Sequence, residues 1–106
     1  MVRRLAALLL VVAATGGCGA SVRSGNFQIY EDDVDEQFPV IKRRAAFDLH
    51  CPPRELTLIT LAVHEPSGDP PFHPNQVGVE GCGRRAVYVR RGRLEDRDWV
   101  LNSSGN

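Results

Sequence analysis

The spacing of apolar positions changes character several times along the 106-residue chain. Leu5 to Ala14 is an unbroken apolar run. From Pro39 to Leu49 the positions Ile41, Ala45 and Leu49 recur at every fourth residue, with Phe38 and Phe47 near the same side and Lys42 and Arg43 pointing away. That stripe predicts a short helix with one buried face. Leu56 to Val63 is rich in β-branched and apolar residues without helical gaps, and predicts a central strand. Gln76 to Cys82 alternates, with Val77 and Val79 on one face. Arg85 to Arg91 alternates again, Ala86, Tyr88 and Arg90 opposing Val87 and Val89. Trp99-Val100-Leu101 completes the set as a last strand.

The breaks between these segments have their own chemistry. The helix must stop at His50-Cys51, because Pro52 and Pro53 follow and the residue before a proline disfavours helical geometry. The acidic cluster Glu31-Asp32-Asp33 and Asp35-Glu36 precedes Pro39, where negative charge suits a helix N-terminus and proline a first turn. Glu65 to Asn75 carries four prolines and Gly68 and predicts a loop. Gly81 and Gly83 flank Cys82 and permit a tight hairpin bend. The expected fold class is α+β, one short N-terminal helix on a three- or four-stranded antiparallel meander. That domain occupies 30–106. Residues 18–29, Gly/Ser-rich around Gly19 to Asn26 and without periodicity, read as a flexible tether.

The first eighteen residues change the picture most. Arg3 and Arg4, the apolar run, and then the small residues Thr15-Gly16-Gly17 form the order of an export signal, here 1–17. The run is about ten residues, short of the ~20 that cross a bilayer as a helix. Cys18 directly after Gly-Gly resembles the lipobox of bacterial lipoproteins, with Thr15 standing where that motif prefers Leu. This resemblance implies a lipid on Cys18 and an exported protein held at the membrane. A cut after Ala20 is the alternative, releasing a soluble chain without that cysteine. Gly19 after Cys18, rather than an acidic residue, favours the outer over the inner membrane.

Cysteine parity bears on the same point. Three cysteines in an exported chain leave one odd thiol. A lipid on Cys18 resolves this and leaves Cys51 and Cys82 to form one disulfide, with a reduced, buried pair as the alternative. A domain this small needs such a staple. Once Arg3 and Arg4 leave with the signal the chain is nearly neutral, which gives no general attraction to nucleic acid.

Candidate chemistry is sparse. His50, Cys51, His64, His73 and Cys82 are metal-ligand types, but only His50 and Cys51 are close, zinc sites use compact pairs, and a disulfide removes both thiolates. No metal or other cofactor is expected. There is no G-x-S-x-G elbow, and the carboxylates at 31–36 are solvated rather than paired in an apolar setting, so catalysis is not expected. Arg84, Arg85, Arg90 and Arg91, with Arg93, lie on or beside one hairpin. They are the candidate contacts for an anionic ligand through guanidinium geometry. The plainer reading is that they keep an exposed edge soluble or pair with the acidic segment.

Three blocks of sequence carry a wider resemblance. Arg44 to Pro52 (R-A-A-F-D-L-H-C-P), Gly78 to Val89 (G-V-E-G-C-G-R-R-A-V-Y-V) and Trp99 to Ser103 (W-V-L-N-S) resemble the pattern of a group of small, uncharacterised bacterial lipoproteins. Many of that group carry a further cysteine soon after the tyrosine, where Arg90 stands here. The resemblance implies an anchored envelope protein and brings no activity with it. The expected role is therefore a lipid-anchored, non-catalytic structural or interaction module, its partners the membrane, through the lipid, and an envelope protein or polymer. The alternative is a periplasmic or surface binding protein for an anionic ligand or metal ion.

Overall fold

A computed structural model describes residues 20–105. The expected signal peptide and Cys18 lie outside those residues. Among them, no helix is long and apolar enough to cross a membrane.

The architecture is α+β, with strands β1 (Ser21–Ser24) and β2 (Phe27–Tyr30), helical segments α1 (Glu31–Glu36) and α2 (Phe38–Leu49), and strands β3 (Thr57–Val63), β4 (Pro74–Gly81), β5 (Arg84–Arg90) and β6 (Trp99–Gly105). The last four strands form one antiparallel sheet in the order β3-β4-β5-β6, and β1 and β2 a separate two-stranded hairpin. The meander is thus four-stranded, each strand within a few residues of its expected span.

Two expectations are corrected here. The helix is neither short nor begun at Pro39. It starts at Glu31, where the acidic first turn of α1 suits the positive end of the helix dipole. It runs on through Gln37, whose N–H donates to the Asp33 carbonyl while its own carbonyl accepts from Ile41. Pro39 has no N–H to offer Asp35 and its ring crowds that carbonyl, which accounts for a bend rather than a start. The second correction concerns the tether. Ser21–Ser24 pairs in register with Phe27–Tyr30 across a turn at Gly25, whose φ of 63° a glycine adopts at no cost. Ile29 is fully buried, Thr60 N–H donates to Ser24 Oγ at 2.9 Å, and the Phe27 and Phe72 rings meet edge to face. Residues 21–29 therefore belong to the domain and cap the free edge of β3.

The core lies between the helix and one face of the sheet. Ile41, Ala45 and Leu49 of α2 pack on Leu56, Val77, Val79, Ala86, Tyr88 and Trp99. Phe47 is not part of that stripe; it is 79% exposed, because its position on the helix turns it away from the sheet. At the C-terminus of α2, His50 takes the left-handed conformation and Cys51 N–H donates to the Ala46 carbonyl, the usual helix stop, with Pro52 next. Cys51 is disulfide-bonded to Cys82 in the β4–β5 turn, where Cys82 and Gly83 both have positive φ. The bond staples the end of the helix to the sheet. Gly81 makes this approach possible: a Cβ there would lie 2.7 Å from the Glu55 carbonyl oxygen and 3.1 Å from Cys51 Sγ.

Candidate functional site

The four arginines expected to line one basic edge are dispersed by the pleat. Arg84 is exposed but its Nη1 donates to the Leu49 carbonyl at 2.8 Å, a cation on the negative end of α2. Arg85 is exposed and sits across from Glu80 in the register of β4 and β5. Arg91 pairs loosely with Asp98 at 3.9 Å, and neighbouring Arg93 with Glu95 at 3.4 Å. Arg90 is a correction: it faces the core, its side chain only 2% exposed, and cannot meet a ligand at the surface.

Around Arg90 the fold builds a buried ionic network. Arg90 Nε and Nη2 donate to the Pro74 carbonyl at 3.0 and 2.8 Å, and Nη1 donates to the Leu94 carbonyl at 2.9 Å. Nη2 also reaches Asp33 Oδ1 at 3.3 Å, and the guanidinium lies 4.7 Å from the centre of the Trp99 ring. Burial lowers the Arg90 pKa from its ordinary value, and the Asp33 carboxylate opposes that shift. The second oxygen of Asp33 is 2.8 Å from His73 Nδ1, whose ring stacks on Tyr30 at 4.4 Å. Trp99 Nε1 donates to Gln37 Oε1 at 2.8 Å and closes the network toward the helix.

A hollow of about 530 Å³ opens beside this network, lined by Tyr30, Asp32, Glu36, His73 and Glu95 among others. Its rim carries carboxylates, the wrong sign for an anion. His64 and His73 come together at the ends of β3 and β4, where His64 N–H donates to the His73 carbonyl, whereas His50 stands at the far end of α2. Among the described residues, Cys51, Glu55 and Cys82 are the one group of potential metal donors close enough to share an ion. The disulfide occupies both sulfurs, leaving a single carboxylate, 3.5 Å from Cys82 Sγ.

Comparison with protein-family models, curated proteins and solved structures finds no match to this chain.

A further exposed surface lies on the face of the sheet that the helix does not cover. Cross-strand partners share a face, so Ile59, Gly78 and Val87 form one outward row, and Thr57, Glu80 and Arg85 the next. Ile59 is 43% and Leu61 44% exposed. This surface was available to sequence reasoning in one respect. Leu56 to Val63 is apolar on both faces, and one helix covers only one of them.

Proposed function

We propose that this chain is an exported, lipid-anchored envelope protein that works as a non-catalytic interaction module, with the uncovered sheet face as its contact surface. The signal-like start, Cys18 after Gly-Gly, and the resemblance to small bacterial lipoproteins support export and anchoring. The observation that carries the interaction role is the exposed apolar patch of Ile59, Leu61 and Val87, on a sheet whose other face is closed by α2. The reactive side chains in the described residues serve the fold instead: two sulfurs in the staple, Arg90 and Asp33 in the buried network. The anion-binding reading is weaker, since Arg84 and Arg90 are both engaged on backbone carbonyls.

Intact-mass analysis of the native protein, with and without reductant, tests the anchoring. The expected species begins at Cys18, carries added lipid mass, and gains two hydrogens on reduction. A free Ser21 amine, or a chain that keeps its first seventeen residues, contradicts it.

A further inference from the structure

We infer that the outer face of the sheet packs against the same face of a second copy of this chain, about a two-fold axis running along the strands between β4 and β5. A sheet closed by a helix on one side, with an apolar row exposed on the other, resembles half of a sandwich, and sheets stack face to face about 10 Å apart with strands roughly aligned. What selects a second copy is the arrangement of charge and shape on this face.

Glu80 and Arg85 are register partners on β4 and β5, and so are Gly78 and Val87 one row further along. A two-fold axis parallel to the strands and midway between β4 and β5 exchanges the two strands without moving residues along them. Each residue of one copy then lies over the position of its own cross-strand partner in the other. Arg85 comes over the second copy's Glu80, and Glu80 over its Arg85, so the ion pair is made twice by symmetry. Val87 comes over Gly78, the residue without a side chain. There it meets Ile59 and Leu61, which lean over Gly78: a Cβ on that glycine would lie 3.2 Å from Leu61 Cδ1 and 3.4 Å from Ile59 Cγ2. The receiving hollow measures about 200 Å³. An unrelated partner would need opposite charges at the same spacing beside an apolar knob, and a lipid surface offers no such pattern. The same chain, turned by the two-fold, supplies all of it.

This inference rests on the outer face being the contact surface and is independent of lipid on Cys18. The test uses two differently tagged copies of the full-length gene product in one cell, isolated from the envelope in non-ionic detergent. The fraction of one copy retained with the other is measured for four pairings. Wild type with wild type should co-isolate. Glu80→Arg with itself and Arg85→Glu with itself should each lose about tenfold in retention, because like charges then face each other across the axis. Glu80→Arg paired with Arg85→Glu should return to near the wild-type level. Mixing restores opposite charges between copies but not within either chain, so this recovery reports the intermolecular contact alone. Formation of the Cys51–Cys82 bond in every variant, read by mass, verifies folding. Wild-type copies that fail to co-isolate overturn the proposal. So do like pairs retained as well as wild type, or a mixed pair that does not recover; a face occupied by lipid or by another protein produces one of these outcomes.

Discussion

On the inner face of the sheet Val77, Val79, Ala86 and Tyr88 are fully buried under α2, whereas on the outer face of the same strands Ile59 and Leu61 remain 43% and 44% exposed beside Val87. The outer face mixes these apolar residues with Gly78 and the Thr57, Glu80 and Arg85 row, where the inner face carries Val77, Val79, Ala86 and Tyr88. The two also differ in what each face meets. The inner face is closed at one end by a covalent staple and at the other by Arg90 and Trp99, so substitutions there act on stability. The outer face carries its own register rows, with the Gly25 turn against Ile59 at the β3 edge, so substitutions along β4 and β5 there act on association.

Among the polar contacts of the inner face, breaking those of Arg90 has the largest expected effect. Arg90→Leu leaves the Asp33 carboxylate, itself 8% exposed, without its guanidinium, a loss of about 3–5 kcal/mol in denaturant unfolding. Arg90→Lys should recover little, since one ammonium cannot serve the Pro74, Leu94 and Asp33 oxygens together. A loss under about 1 kcal/mol for Arg90→Leu would show that the network is ornamental. Next comes the staple. Replacing Cys51 and Cys82 together by Ser opens a loop spanning 31 residues, and should cost about 3–4 kcal/mol, read from the shift in urea midpoint.

Tyr88 gives the third effect and a pH signature. Its hydroxyl donates to Asp48 Oδ2 at 2.5 Å, and burial, then that bond, raises its pKa above the ordinary 10.0. The folded state therefore holds the phenol proton at pH values where the unfolded chain releases it. The associated stability is fully present below pH 10 and is lost as pH rises beyond it. Tyr88→Phe should cost about 1.5–3 kcal/mol at neutral pH, and the gap to wild type should narrow above pH 10. A constant gap across that range would contradict this account. The smallest effect has the opposite sign. Thr60 Oγ1 is buried with no hydrogen-bond partner among the described residues, so Thr60→Val should stabilise by about 1 kcal/mol.

The comparison of faces also separates what could be read in the chain from what could not. Cysteine parity pointed to the Cys51–Cys82 bond without knowledge of any distance. Alternation in 84–90 sorted Ala86, Tyr88 and Arg90 onto one side, yet the charge made Arg90 look like a surface residue. Period alone does not reveal that Pro74 and Leu94 offer carbonyls and Asp33 a carboxylate at that depth. The first hairpin is hidden because its strands are four residues each and the first of them lies in a Gly/Ser-rich stretch. Their pairing depends on Phe72 and Thr60, far along the chain. Pro39 predicts the start of a helix because proline favours a first turn, and nothing local distinguishes a start from a bend. Phe47 is apolar by type, and that suggests the core, although its position on the helix faces water.

One pair of variants tests the division between the faces most directly. Val79→Asp and Val87→Asp place the same charge on adjoining strands of one sheet, on the inner and outer face respectively. Their denaturant unfolding should be measured side by side with co-isolation of tagged copies. The account predicts that Val79→Asp loses more than about 4 kcal/mol or fails to fold. Val87→Asp should stay within about 1 kcal/mol of wild type while losing its hold on a second copy. Equal loss of stability in the two variants, or undiminished pairing in Val87→Asp, would contradict it.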